Sequence, residues 1–235
     1  FDMARSTFSR VSFDLIYARQ EQTPDQWRRE LREALDMAAD HLSLYQLTIE
    51  PGTAFADRFA KGSLRGLPSE DAAADMFDIT QEMCADVGLH AYEISNHARP
   101  GAESRHNLIY WRGGDWAGIG PGAHGRLTLN GRRWSTETEL APALWLERVT
   151  RHRSGQTKRL EVSPTEHAEE FLMMGLRLSE GVDMSRLSAI NQEVPDMKCV
   201  SSLEELGLIE CDGTTLRATS KGRPVLNAIL RELLA

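Results

Sequence analysis

The chain has only three cysteines in 235 residues, Cys84, Cys199 and Cys211. They lie too far apart in sequence to form the closely spaced thiolate sets that hold zinc or an iron–sulfur cluster. Scattered single thiols also argue against a disulfide-stapled secreted domain and suit a reducing compartment. Missing too are an apolar run of the roughly 20 residues that a membrane span needs and the basic start and apolar middle of a secretory leader. A soluble cytoplasmic protein is the expectation. Positive charge is in deficit, since 27 Lys and Arg face 35 Asp and Glu for a net charge of −8. That balance argues against a non-specific nucleic-acid binder, which requires a basic face. An initiator methionine is lacking as well. Phe1-Asp2-Met3-Ala4-Arg5 reads as the tail of a helix running straight into an apolar strand, so the chain is expected to be part of a longer one.

What is present begins as an alternation of strands and helices. Residues 11–17 form an apolar, β-rich run of the kind expected for a strand buried on both faces. Thr23-Pro24 then sets a helix start, with Thr23 as N-cap, and Trp27, Leu31, Leu35 and Ala38 follow at helical spacing. A second strand runs from His41 to Thr48 and stops at Pro51-Gly52. Ser69 opens another helix carrying Met76, Ile79, Met83 and Val87, which ends at Gly88, and Leu89 to Ile94 reads as a third strand. That order predicts a parallel α/β sheet, either a barrel portion or a doubly wound sheet, with function at the C-terminal strand ends.

Residues 96–126 break the pattern with a loop rich in glycine, histidine and aromatics. Leu127 to Trp134 reads as a hairpin around Asn130-Gly131. A helix follows over Pro142 to His152, with a linker at Ser154-Gly155-Gln156. From Ser163 a helix, two short helices, a hairpin around Asp212-Gly213 and a final helix describe a winged-helix-like module. From Thr165 onward twelve acidic residues outnumber seven basic ones, a net charge of −5. A DNA-reading winged helix needs a basic face, so packing or protein interaction is the expectation and DNA is not. The divisions predicted are 1–136, 137–162 and 163–235.

Three places can carry chemistry. Asp14 lies inside the apolar run, where a buried carboxylate needs a partner or ligand. Near the C-terminal end of a strand it could accept from ribose hydroxyls, and a salt bridge to a neighbouring strand is the plainer alternative. Gly118-Ile119-Gly120-Pro121-Gly122-Ala123-His124-Gly125 is the most glycine-dense stretch, suited equally to close approach of a ligand and to a tight turn. Arg105-His106-Asn107-Leu108-Ile109-Tyr110-Trp111 puts an imidazole beside an amide and flat aromatic surfaces. Those are an axial ligand, a polar orienter and a packing face for heme, although a loop histidine is more often structural. His41, His90, His97, His152 and His167 show no metal-ligand spacing.

Taken together, these stretches resemble the radical S-adenosylmethionine (SAM) family of oxygen-independent coproporphyrinogen III oxidases and related heme chaperones. The resemblance rests on Asp14-Leu15-Ile16-Tyr17, on residues 44–53, and on the ordered pair His106–Trp111 and Gly118–Gly125, and residues 92–101 fit the same pattern. It implies a partial (β/α) radical SAM barrel, represented by its later strands, with a helical, winged-helix-like C-terminal domain. It implies a SAM pocket touched by Asp14, Ile16, Thr48 and His124. It further implies heme held by His106, Asn107, Tyr110 and Trp111, with His106 as the iron ligand.

The family's [4Fe–4S] cluster is held by three cysteines spaced CxxxCxxC, a motif this sequence does not contain, so the chain alone is not expected to cleave SAM. Heme delivery to an acceptor protein is the function implied. Oxidative decarboxylation of a porphyrinogen is the first alternative and a cofactor-free interaction module the second. Where the family commonly continues Gly-Leu-Pro-Gly-Gln-Thr after Ile16-Tyr17, this chain has Ala18-Arg19-Gln20-Glu21-Gln22-Thr23.

Overall fold

Thr23 starts the first long helix, α2 (Pro24–Met37), through a reciprocal pair of hydrogen bonds. Its hydroxyl accepts the backbone N–H of Gln26 at 3.2 Å, and the Gln26 side chain accepts the N–H of Thr23 at 2.8 Å. This box satisfies two amide donors that the first turn would otherwise leave open. The helix buries Trp27, Leu31 and Ala34. Ser69 caps α4 (Glu70–Asp86) through its hydroxyl alone, which accepts the Ala72 N–H at 3.2 Å, and that helix buries Met76, Ile79 and Cys84 before Gly88 turns the chain with a φ of +75°.

The structure, a computed structural model, describes residues 1–234 and comprises two units, Phe1–Ser104 and Arg105–Ala235. The first unit holds α1 (Asp2–Thr7), β1 (Asp14–Tyr17), α2, β2 (His41–Gln46), α3 (Ala54–Ala60), α4, β3 (His90–Ala91) and β4 (Asn96–Ala98). Its sheet has the order β1-β2-β4-β3. β1 and β2 are parallel, with Asp14 opposite Ser43 and Tyr17 opposite Gln46, as a βαβ unit requires.

The third strand departs from the parallel repeat. Only His90–Ala91 is extended, and the chain then reverses so that β4 runs antiparallel to both β2 and β3. The cause is local. The buried Glu93 carboxylate accepts the backbone N–H of Ser95 at 2.8 Å and the side-chain amide of Asn96 at 2.5 Å, closing a turn inside the expected strand.

Nor is β1 buried on both faces. Leu15 and Tyr17 point towards the helices, while Asp14 and Ile16 are exposed on the other side. The core lies on the helix side, where Tyr17, Trp27, Leu31, Leu42, Leu44 and Met76 pack together. The Trp27 indole stacks on Tyr17 with centroids 5.0 Å apart and donates to Thr80 Oγ1 at 2.9 Å. Each such fully buried side chain contributes roughly 1.5–3 kcal/mol.

In the second unit, residues 105–111, expected within a loop, form the helix α5 (Arg105–Trp111). β5 (His124–Leu129) and β6 (Arg132–Thr138) make the expected hairpin. Asn130 and Gly131 both have positive φ, +53° and +76°, the requirement of a type I′ turn. After α6 (Pro142–His152) the segment expected as a linker becomes β7 (Gln156–Glu161), which pairs antiparallel with β6.

Ser163 and Glu166 form a second capping box for α7 (Pro164–Gly175). Then come β8 (Val182–Asp183), α8 (Met184–Ile190), α9 (Met197–Glu205), β9 (Ile209–Cys211), β10 (Thr215–Ala218) and α10 (Leu226–Leu233). The small sheet has the order β8-β10-β9, and Asp212 Oδ1 closes its hairpin by accepting the N–H groups of Thr214 and Thr215. Helix, two helices, hairpin and helix follow the winged-helix-like order read from the sequence, to which the structure adds the short strand β8. Among the described residues no helix is long and apolar enough to cross a membrane.

Candidate cofactor site

The helix α5 sorts its residues by face. His106 is exposed, and Tyr110, one turn further on, meets it edge-on with ring centroids 4.8 Å apart at 72°. Trp111 lies about 140° further round the helix from His106 and packs inward, where the Arg177 guanidinium covers its ring at 4.7 Å. Its indole nitrogen is buried without a hydrogen-bond partner. The motif therefore does not present all its aromatics to one surface. His106 and Tyr110 stand together, Asn107 is half-buried, and Trp111 anchors the helix.

Trp116 takes the place that the sequence assigned to Trp111. Its ring lies 4.6 Å from that of Tyr110, tilted by 52°. The guanidinium groups of Arg126 and Arg133 each lie 5.9 Å from it. The indole nitrogen donates to the backbone carbonyl of His124 at 3.2 Å. The rings of His106, Tyr110 and Trp116 thus form one continuous line, which reaches β5 at the His124 backbone. Trp116 was legible only as an aromatic within a glycine-rich segment, and nothing in its spacing distinguished it.

The two arginines have different roles. Arg126 forks onto Glu170 of α7, with its shortest contact at 2.5 Å, and that carboxylate raises its pKa. Arg133 is buried, donates to Asp115 Oδ1 and to Gly114 O at 3.1 Å each, and has its pKa lowered by burial despite Asp115.

The glycine stretch serves the structural role open to it. A Cβ on Gly118 would come within 2.7 Å of the His124 carbonyl, and one on Gly125 within 2.8 Å of the Gly118 nitrogen. These two glycines let the chain pass itself backbone against backbone. Gly120, with φ +106°, has nothing within 4 Å of its would-be Cβ and leaves open space on the same turn. His124 opens β5 and is exposed.

In the first unit Asp14 opens β1 rather than closing it, and it is exposed, so no burial cost attaches to its charge. The strand end is Tyr17, about 10 Å further on. Ile16 shares Asp14's face and is 47% exposed. Thr48 lies two residues past β2 and donates to Glu50 Oε1 at 3.2 Å.

The same sheet face continues into a buried polar network, part of which falls in the stretch from Tyr92 that entered the resemblance without a role. Ser43 donates to Asn96 at 2.9 Å, Asn96 to Glu93, and the His41 ring bridges Ser12 Oγ at 2.7 Å and Tyr92 Oη at 3.0 Å. Burial lowers the His41 pKa, against the opposing pull of Asp40.

Residues 162–225 match the family model of the HemN C-terminal domain. A mitochondrial radical S-adenosyl methionine domain-containing protein 1 of Dictyostelium discoideum is 38% identical over 99% of this chain and 58% of its own length. The heme chaperone HemW of Mycobacterium tuberculosis is 34% identical over 97% of this chain and 56% of its own. The coproporphyrinogen III oxidase HemN of Escherichia coli, a radical SAM enzyme, superposes with a TM-score of 0.74. That match spans 99% of this chain and 56% of HemN at 19% identity.

Residues 162–225 carry the HemN C-terminal domain, and the chain as a whole is similar to the radical SAM relatives HemN and HemW. It spans a little over half the length of the curated relatives named here.

In the loop after β1, Ala18 and Glu21 stand where the resembling family commonly has glycine, and both have left-handed backbones, with φ of +56° and +59°, the region glycine suits best. The thiols, by contrast, do not fit a cluster. Cys84 is buried in the first unit, and Cys199 and Cys211 lie on α9 and β9. Among the described residues no group of three or more His, Cys, Asp and Glu could hold a metal ion.

Proposed function

We propose that this chain carries the heme-holding part of a heme chaperone, which takes up heme and passes it to an acceptor protein. The observation that carries the reading is the exposed His106 imidazole backed by Tyr110 and Trp116. An accessible imidazole supplies an axial nitrogen, and two successive ring edges supply an apolar surface for the macrocycle. Heme supplies an iron with an open axial position. The chain's part is to offer His106 as ligand, to keep it solvent-reachable for hand-over, and to support it through α5. A relative named a heme chaperone at 34% identity supports the same reading.

By resemblance, Asp14, Ile16 and Thr48 of the first unit are proposed for the SAM pocket of the longer protein, in which a [4Fe–4S] cluster is held by ligands other than this chain's thiols. Asp14 and Ile16 offer a carboxylate and an apolar side chain on one exposed strand face, a fit to a ribose and a neighbouring apolar surface. A cytoplasmic location belongs to this proposal as well.

Heme titration of the chain and of His106→Ala tests it. The unmodified chain is expected to shift the Soret band, and the variant to lose that shift or move it to a different wavelength. An identical Soret band in both proteins removes His106 as ligand.

A further inference from the structure

The carbonyls that a helix end leaves without intrahelical partners are taken at α5 by the turn that follows, where Gly113 N–H donates to Tyr110 O at 3.0 Å and Gly114 N–H to Ile109 O at 2.8 Å, and a guanidinium from α8 holds that turn. Arg186 donates through Nη1 to Arg112 O at 2.7 Å and through Nη2 to Gly113 O at 3.1 Å. The same group lies 4.4 Å from the Phe171 ring centroid on α7. Gly113 is buried with φ +60°, and a Cβ there would come within 2.7 Å of Phe171. The turn therefore sits against α7 without slack. The base of the arginine is fixed as well, because Asp183 caps α8 and accepts the Arg186 backbone N–H at 3.1 Å. A cation at this end also complements the helix dipole.

We propose that Arg186 is a positioning residue. By clamping the end of α5 it sets where the His106 imidazole stands, so that the C-terminal module governs ligation of the cofactor. The proposal rests on the heme reading above and deepens it, by making the winged-helix-like segment a determinant of that site. Arg112 lies six residues, about 9 Å, along the helix axis from His106, and a seven-residue helix has no other turn in which to absorb a displaced end. The planar fork matters. A lysine ammonium keeps the charge but cannot span two carbonyls in fixed geometry.

The test compares the chain with Arg186→Met, Arg186→Lys and His106→Ala. Amide exchange without heme reads the clamp. Exchange at Tyr110 to Gly114 is expected to rise about tenfold in Arg186→Met, with the β5–β6 hairpin unchanged. Heme titration reads the consequence. Affinity is expected to fall by about tenfold, with a displaced Soret band, and Arg186→Lys is expected to lie between.

Unchanged exchange overturns the proposal, as does faster exchange with an unaltered Soret band and affinity. If His106→Ala binds heme as the unmodified chain does, the heme reading itself falls and takes this proposal with it. If only the arginine variants behave like the unmodified chain, the positioning role alone falls. Should Arg186→Met not fold, Arg186→Lys carries both readouts.

Discussion

Tyr110 presents its ring to the His106 imidazole edge-on, 4.8 Å away and one helical turn along α5, whereas Trp111, its immediate neighbour, packs beneath Arg177. Adjacent residues on a helix point roughly 100° apart, so a motif that looks continuous in sequence divides between a surface and an anchor.

That division separates two kinds of variant. Tyr110→Leu and Trp116→Leu remove ring contacts worth about 0.5–1.5 kcal/mol each, so heme affinity is expected to drop between about twofold and tenfold. Trp111→Leu is expected instead to lower unfolding free energy by about 2 kcal/mol with little change in affinity per folded molecule. Parallel heme titration and urea unfolding measure both. A Trp111→Leu protein of unchanged stability that no longer binds heme contradicts the facing assigned here.

Glu21 is exposed at φ +59°, and its amide donates to Gly66 O at 2.6 Å. A left-handed backbone costs a non-glycine residue roughly 1–2 kcal/mol, and glycine regains part of that against its own greater unfolded entropy. Glu21→Gly is thus expected to raise stability by about 1 kcal/mol. Ala18→Gly is expected to gain less, because the Ala18 methyl group is buried. Chemical denaturation decides. A loss of stability in Glu21→Gly means that its side chain contributes more than its backbone strain costs.

The sequence and the structure agree where local chemistry decides. Thr23-Pro24 and Ser163-Pro164 each specify a helix start by satisfying backbone donors within four residues, and Asn130-Gly131 specifies a turn by tolerance of positive φ. They part where distant partners decide. The reversal after Ala91 depends on Glu93 bonding to Ser95 and Asn96, which reads in sequence as one more polar residue in a strand. The strand β7 depends on pairing with β6 and shows as a charged, linker-like run. At the candidate site His106 was legible from its neighbours. Trp116 was not, because its place beside Tyr110 is set by the Arg126 and Arg133 side chains from the hairpin.

In the first unit Thr80 is a second case of tertiary partnership. Its hydroxyl accepts from the Trp27 indole at 2.9 Å and donates to Met76 O at 2.7 Å, with both side chains fully buried. Thr80→Val keeps the shape and leaves the indole N–H without an acceptor, which costs about 1–3 kcal/mol. The further change Trp27→Phe removes the orphaned donor. The double variant is expected to show a coupling of at least about 0.5 kcal/mol in a double-mutant cycle. Strict additivity of the two changes contradicts the hydrogen bond's role.

The pH dependence of stability follows from burial acting on two histidines. Burial lowers the pKa of His41 in the first unit and of His167 in the second, where Arg133 pushes the same way. His41 faces Asp40, Arg10, Asp14 and Glu93. His167 faces Arg133, Glu170, Arg186 and Asp115. A lowered value means that the unfolded chain takes up a proton near pH 6.5 while the folded chain resists, so the unfolded state binds more protons below that pH. Stability is therefore complete above about pH 7 and declines as pH falls through the folded values. The capping carboxylates of Glu166, Asp183 and Asp212 also titrate low, the last at about 2, through hydrogen bonds from their caps and turn. Their effect falls in a separate window below about pH 4. On the alkaline side the buried Cys84 thiol is pushed up to about 12 from its ordinary 9.0, so its share of stability is lost between those two values. Urea unfolding from pH 8 to pH 5 is expected to show the acid decline, with a shallower slope in His41→Gln and in His167→Gln. An undiminished slope in both variants assigns the proton uptake to other groups.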